Sequence, residues 1–429
     1  MKKNILVFPC GSEVGLEIYR SIAFSPHFNV CGGSSADDHG KYVFKNYTGN
    51  LPRVESAKFL AAINRVAVKK RIDFIIPAHD EVALKLSRAQ KKGKLKTGLL
   101  TSPYETCRIA GSKTLTYEFF RGAIPVPRVF GKSSLVPESA FPVFIKPDRG
   151  QGTKGVYYKA SNKKEADFYL ARGKGLIITE CLPGREYTVD CFTDRKGRLL
   201  YSAGRERKRI SAGASVKTFF DSGKKFGKIA GIMNKMLKFR GAWFFQLKRD
   251  KKGNLNLMEF APRAAGAMGI SRCRGVNPVL LALFDAMNKD VEALRNKYTI
   301  EMDRALKNSY RLGIKYSHVY IDFDDVVVCR GKVNPQVMAF LYQCVNSRIK
   351  IHLLTKHRGS VKKELARLKM GGIFDEVIHL KNNAEKYKKI RNRKSIFIDD
   401  SFMERKKVSK KLKIPVFDTH MIESLMEEF

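Results

Sequence analysis

The sequence predicts a multidomain α/β protein. Three observations carry that expectation: short apolar strands alternate with amphipathic helices over the first hundred residues, hairpin-forming strands take over after Tyr104, and a second strand and helix series starts near residue 314. With 429 residues and 44% hydrophobic content, the chain can bury several cores, and ordinary domain sizes suggest about three domains. The longest apolar runs, at 5–8 and 279–284, are core-sized, too short to span a bilayer. The Met-Lys-Lys start lacks the apolar region and cleavage site of a secretory signal. The eight cysteines form no CxxC pair and no zinc-like cluster with histidine. They read as reduced thiols of a cytoplasmic protein.

The formal net charge is +41. Such an excess raises the local anion concentration and favours nucleic acid, acidic surfaces or polyphosphates as partners. No zinc finger, basic zipper or aromatic RNA-binding motif accompanies it, and runs such as Lys406-Lys407 and Lys410-Lys411 read as solvated helix faces. Charge therefore leaves nucleic acid possible as a partner without supplying a motif.

Residues 4–8 form a continuous apolar run ending in Pro9-Cys10-Gly11-Ser12, followed by a helical pattern through Val14, Leu16, Ile18 and Tyr19. Strands at 28–31, 74–77 and 98–101 and a helix through Phe59, Leu60, Ile63 and Val66 continue the rhythm of a parallel, Rossmann-like sheet. Its first turn offers Gly11 and Gly15, which falls short of the dinucleotide fingerprint, so a structural or substrate-binding sheet is expected.

From Tyr104 the pattern is mixed. Ser112-Lys113-Thr114 opens a helix, and a first-turn lysine can reach a phosphate. The buried strand at 141–147 contains Lys146. It leads into Asp148-Arg149-Gly150-Gln151-Gly152-Thr153-Lys154-Gly155, whose glycines let backbone N–H groups approach phosphate oxygens. A strand at 176–179 precedes Glu180, Cys181, Leu182 and Glu186. Exposed backbone at 180–182 suits an adenine, and a carboxylate at Glu186 suits ribose hydroxyls. A hairpin is expected from Trp243 to Arg263, turning at Lys252-Gly253-Asn254. Paired strands can present Gln246 and Glu259 to one metal ion, with Arg263 placed for a phosphate; an ordinary hairpin with solvated polar residues is the alternative.

Taken in order, these elements resemble the ATP-grasp family, in particular carboxylate–amine ligases similar to carbamoyl-phosphate synthetase domains. The resemblance implies a Rossmann-like pre-ATP-grasp domain at 1–103 and an α+β ATP-grasp domain at 104–308. It also implies ATP and Mg²⁺ as cofactors. Lys113 and Lys146 would be the phosphate lysines, Gly150, Gly152 and Gly155 the loop over the phosphates, Glu180 and Leu182 the adenine hinge, and Glu186 the ribose carboxylate. Gln246 and Glu259 would hold magnesium, and Arg263 would steady the transferred phosphoryl group. The substrates would be a small carboxylate and an amine, joined through an acyl phosphate. Arg205, Arg207, Lys208, Arg209, Arg272 and Arg274 are candidates to clamp an anionic substrate. The chain departs from the family's Glu-x-Asn-x-Arg strand in having Ala261 where an asparagine would ligate a second metal ion. A nucleotide-binding regulatory protein with a degenerate site, or a nucleic-acid-associated enzyme, are the other readings.

After a charged connecting region, residues 319–326 form a buried strand running into Asp322, Asp324 and Asp325. Several carboxylates at a strand end point to a metal or phosphate site, because burying one without a partner is costly. The run resembles the first motif of haloacid-dehalogenase-like phosphotransferases, matched over 314–429 as a doubly wound domain without a cap. The resemblance implies Asp322 as nucleophile, Asp324 as proton donor, Thr355 as phosphate-binding hydroxyl and Lys386 or Lys388 as the neutralising lysine. Asp400, beside Asp399, would hold magnesium with Asp322, supported by Glu404, and the substrate would be phosphorylated. The oligomeric state is not legible from the sequence.

Overall fold

The computed structural model describes residues 2–150, 158–221, 223–381 and 383–427. The chain divides into two compact units, Met1–Leu306 and Lys307–Phe429.

The first unit opens with five parallel strands: β1 (Lys3–Phe8), β2 (Phe28–Gly33), β3 (Asn46–Thr48), β4 (Phe74–Pro77) and β5 (Gly98–Leu99), in the order β3-β2-β1-β4-β5. Ile5, Leu6 and Val7 are all fully buried. A central parallel strand is covered on both faces, which is why its sequence is uniformly apolar instead of alternating. The helix Glu13–Ile22 starts hard against β1, capped by Ser12, whose hydroxyl accepts from the Gly15 N–H. A Cβ on Gly15 would lie 2.4 Å from the Cys10 carbonyl oxygen. Glycine is therefore required for this tight entry.

Two further sheets follow. A four-stranded antiparallel sheet contains β6 (Val129–Phe130), β7 (Val143–Pro147), β8 (Tyr158–Ala160) and β9 (Leu176–Glu180), ordered β6-β9-β7-β8. A six-stranded antiparallel sheet contains β10 (Glu186–Thr193), β11 (Leu199–Ser211), β12 (Ala214–Asp221), β13 (Gly241–Arg249), β14 (Leu255–Ala261) and β15 (Glu301–Asp303), ordered β14-β13-β10-β11-β12-β15. One face of this sheet carries Tyr187, Val189, Phe245, Leu247, Leu257 and Phe260 into a core completed by Phe226, Ala230 and Met233 of the helix Lys224–Met236. The opposite face carries the polar residues.

The expected hairpin is β13 and β14, but its turn runs from Asp250 to Asn254. Asp250 Oδ1 accepts the Lys252 and Asn254 N–H groups, both at 2.8 Å, and Gly253 takes φ +85°. The long β11–β12 pair and the edge strand β15 lie where the sequence shows charged segments. Basic residues on both faces of β11 hide its alternation.

In the second unit, β16 (His318–Ile321) is followed by the small hairpin of β17 (Val328–Cys329) and β18 (Lys332–Val333). The strands β19 (Lys350–Thr355), β20 (Glu376–His379), β21 (Ser395–Ile398) and β22 (Val416–Phe417) complete a parallel sheet ordered β20-β19-β16-β21-β22. Among the described residues, only the β17–β18 hairpin and the helix Pro335–Asn346 lie between β16 and β19. No described helix is long and apolar enough to cross a membrane.

Phe260 packs edge-on against Phe120 and Phe239 at 5.8 and 5.6 Å, and Phe239 stacks on Trp243 at 3.8 Å. Phe260→Ala should destabilise the first unit by about 3–5 kcal/mol through the cavity it leaves. Trp243 is the single tryptophan, so its fluorescence during denaturant unfolding checks the shift in this core alone.

Candidate functional site

The six-stranded sheet presents its polar face to a cavity of about 670 Å³. Strand pairing decides which residues stand there. Glu259 on β14 lies opposite Gln246 on β13, Gln246 opposite Thr188 on β10, and Thr188 opposite Arg205 on β11. These four form one row across four strands, all lining the cavity. A second row runs through Lys248, Glu186 and Arg207. Because side chains alternate along a strand, the residues between these rows on β10 and β13, Tyr187 and Leu247, enter the core. The side chains of Gln246 and Glu259 make no hydrogen bond or ion pair with described residues. A carboxylate and an amide oxygen from adjacent strands are donors suited to magnesium.

Lys113 and Lys146 come to the same cavity from different elements. Lys113 opens the helix Lys113–Phe120, whose N-cap Ser112 donates to Asp148 at 2.8 Å, while the Asp148 carboxylate accepts the Thr114 N–H at 2.8 Å. Asp148 thereby fixes the helix start beside the end of β7, where Lys146 stands. Lys146 is 2% exposed, and its Nζ donates to Tyr117 Oη at 3.0 Å. Burial pushes its ammonium down to about 7, and the neighbouring Lys113 charge pushes in the same direction. Gly150, at φ +115°, lines the cavity, and its carbonyl accepts from Lys113 Nζ at 3.4 Å. Gly152 and Gly155 lie outside the described residues.

The remaining expected positions divide between the lining and its surroundings. Glu180 is not among the described lining residues; it pairs with Arg128 through backbone and carboxylate, at 2.8 and 3.2 Å. Leu182 is buried outside the lining. Glu186 lines the cavity, 3.2 Å from Arg207 Nε and 3.5 Å from Lys248 Nζ. Arg263 also lines it, held by Asp80 through two contacts of 2.6 and 3.2 Å. Ala261 is buried in an apolar cluster with Phe244, Ile5 and Cys10. Its position therefore serves packing between the strand and the N-terminal sheet.

Of the basic residues considered for an anionic substrate, Arg205 and Arg207 line the cavity. Lys208 pairs with Glu206 at 3.1 Å, and Arg209 with Asp303 at 2.8 Å. Arg272 is a correction: its guanidinium holds Glu17 of the first helix at 3.0 Å and ties the N-terminal sheet in place. Arg274 stacks on Phe220 at 3.6 Å, away from the lining. Sequence reasoning missed Asp80, Asp190 and Arg304. A lone aspartate within the apolar run of β10 was the available signal for Asp190, since a buried carboxylate needs a partner.

The second unit gathers its own cluster. Carboxylate oxygens of Asp322, Asp399 and Asp400 lie within 4.8 Å of one another. Lys386, 2% exposed, reaches Asp322 at 2.8 Å and Asp399 at 2.7 Å, so it is Lys386 and not Lys388 that enters the cluster. Asp324 faces His357 Nδ1 at 2.9 Å. The buried Thr355 hydroxyl accepts the His357 N–H at 3.1 Å. Glu404 pairs with Lys356 at 2.7 Å. Burial pushes Asp399 up to about 6, with Asp322 adding repulsion, and raises Asp400. Three carboxylates and one ammonium leave room for a divalent cation.

A polyanion entering the first cavity should restore the proton to Lys146. Its depressed value lies near 7. Titration with tripolyphosphate at about pH 8 should therefore show proton uptake, vanishing below about pH 6 where the lysine is already charged. Calorimetry in buffers of differing ionisation heat measures it, and Lys146→Met should abolish it.

Comparison with known proteins agrees with this architecture. Residues 110–227 match the family model described as ATP-grasp domain, and residues 172–306 match that described as ATP-grasp in the biosynthetic pathway with Ter operon. A D-alanine–D-alanine ligase of Petrotoga mobilis is 31% identical over 90 residues, 20% of this chain and 30% of that protein. The chain thus spans less than a third of that curated relative. In fold, it is similar to the biotin carboxylase domain of Hydrogenobacter thermophilus 2-oxoglutarate carboxylase, with a TM-score of 0.55 and 14% identity over 69% of this chain and 72% of that one. It is also similar to an L-amino acid ligase of Bacillus licheniformis, with a TM-score of 0.53 and 16% identity over 68% and 75%. Residues 110–306 thus match ATP-grasp family models in sequence, and the chain is similar in fold to these two enzymes.

Proposed function

We propose that the first unit is an ATP-dependent ligase that joins a carboxylate to an amine, with residues 1–103 as a Rossmann-like pre-domain and 104–308 as the catalytic domain. The observation that carries this reading is the direct pairing of Gln246 with Glu259 on the wall of a cavity that also holds Lys113, Lys146 and Arg263. Gln246 and Glu259 fit magnesium, which when bound draws charge from the phosphates. Lys113 and Lys146 face the phosphates and offset their charge; Lys146, poorly charged in the empty cavity, gains its full charge as they arrive. Arg263, oriented by Asp80, holds the transferred group. In that setting a substrate carboxylate oxygen attacks the γ-phosphorus, the bond to the β-phosphate oxygen breaks, and an acyl phosphate and ADP form. The amine then attacks the acyl carbon and expels phosphate. Phosphoryl transfer of this kind relies on positioning and charge neutralisation, the two properties this cavity supplies.

Glu259→Gln removes the one carboxylate of the metal pair. ADP formation with a carboxylate and amine mixture should fall at least about 100-fold, a loss of roughly 3 kcal/mol of transition-state stabilisation. Nucleotide binding without metal should be kept. A wild-type protein that binds ATP and turns over nothing would instead favour the regulatory reading, to which Ala261 lends support.

For residues 314–429 we propose a haloacid-dehalogenase-like phosphatase. Asp322 accepts the phosphoryl group, and Asp324 delivers a proton to the leaving oxygen. Lys386 screens Asp322 at 2.8 Å. A carboxylate nucleophile needs such screening against an incoming phosphate. Asp322→Asn should lower magnesium-dependent hydrolysis of an aryl phosphate by about 1,000-fold or more; undiminished hydrolysis overturns this assignment.

A further inference from the structure

One end of the cavity is lined by three arginines, Arg205, Arg207 and Arg304. Arg205 is 2% exposed and gives Nε and Nη2 to Asp190 at 3.0 and 3.2 Å. Its Nη1 is buried with no acceptor among the described residues. Arg207 gives Nη2 to the Gly213 carbonyl at 2.7 Å, while its buried Nε, 3.2 Å from Glu186, has no hydrogen bond among the described residues. Arg304, just past β15, binds the Ser215 and Gly266 carbonyls and pairs with Glu13. All three line the cavity. Glu186 serves both Arg207 and Lys248, so two cations share one carboxylate. Burial also holds the Arg207 and Arg304 guanidiniums below their usual range, with Arg205 repelling each. Guanidinium N–H groups left buried without acceptors are costly, and an arriving anion offers them one.

The place of this end is set by the sheet. Arg205 lies two strands from Gln246 in the same row. At about 4.8 Å per strand the backbone positions are roughly 10 Å apart. An anionic group held by Arg205, Arg207 and Arg304 therefore lies to one side of the Gln246–Glu259 pair.

We propose that the ligase substrate carries a second, non-reacting anionic group, a carboxylate or a phosphate, and that Arg205, Arg207 and Arg304 recognise it. This rests on the ligase reading for which end reacts, but the binding itself can be measured without turnover. The probes are glutarate for two carboxylates, phosphoglycolate for a carboxylate with a phosphate, and acetate for a single carboxylate. Each is titrated calorimetrically into the full chain saturated with a non-hydrolysable ATP analogue and magnesium, so that Lys113 and Lys146 are already occupied.

Glutarate or phosphoglycolate should bind at least tenfold more tightly than acetate, and whichever binds better identifies the group. Arg207→Met and Arg304→Met should each lose that advantage, Arg207→Lys should recover part of it, and Arg304→Met should leave affinity for the nucleotide analogue unchanged. Trp243 fluorescence verifies folding; should one variant unfold, the other decides. Acetate binding as tightly as the dianions, dianion binding indifferent to the Met variants, or no binding of any probe overturns the proposal. If dianions bind through Arg207 and Arg304 while no carboxylate and amine mixture yields ADP, the anion site stands and the ligase reading falls.

Discussion

The pairing of Gln246 with Glu259 is the constraint on which the first unit depends. Side chains alternate along each strand, so the register that turns these two toward the cavity also turns Phe245 and Phe260 into the core. A slip by one residue would exchange the two sets and bury a carboxylate among aromatic rings, at a cost no local adjustment recovers. The core therefore enforces the geometry of the site. Continued across β10 and β11, the same alternation brings Thr188, Glu186, Arg205 and Arg207 to the cavity. The Gln246–Glu259 pair and the arginine end of the cavity are consequences of one pleat.

Charge crowding is what the surrounding elements must then manage. Lys113, Lys146 and Arg263 share one cavity wall, and the structure lowers the repulsion by different means. Lys146 gives up much of its charge through burial. Arg263 keeps its charge against Asp80, whose own carboxyl is raised by burial even with the guanidinium beside it. Asp80 opens the helix Asp80–Lys91 of the N-terminal sheet, so this ion pair also anchors the end of β14 to that sheet. Thr101, which donates to the Pro262 carbonyl at 2.6 Å, does the same one residue earlier.

Much of this was legible in the sequence because period and punctuation are local properties. The apolar runs of β1, β7 and β16, the serine cap before Lys113 and the glycine of the β13–β14 turn announce their elements directly. The hairpin itself was readable, and with it the two metal candidates. Partners distant in sequence were not: Asp80 meets Arg263 across 183 positions, and Arg272 meets Glu17 across 255. Nothing local distinguishes an arginine that ties two lobes together from one that faces a ligand, which is why Arg272 and Arg207 looked alike. Along β11, charged residues on both faces removed the alternation that would have revealed the strand and separated Arg207 from Lys208.

The second unit meets the opposite difficulty, with an excess of negative charge. Asp399 is fully buried and Asp322 nearly so, and a single lysine bridges them. Removing one member of such a buried set leaves the others uncompensated, which makes the arrangement all-or-none. With Asp400 adjoining, three carboxylates face one ammonium, a deficit of two positive charges that a single divalent cation makes up. A phosphate dianion approaching this cluster without that cation would meet net repulsion at short range. On the phosphatase reading, metal must therefore arrive before the phosphate or together with it, and Lys386 alone cannot substitute for it.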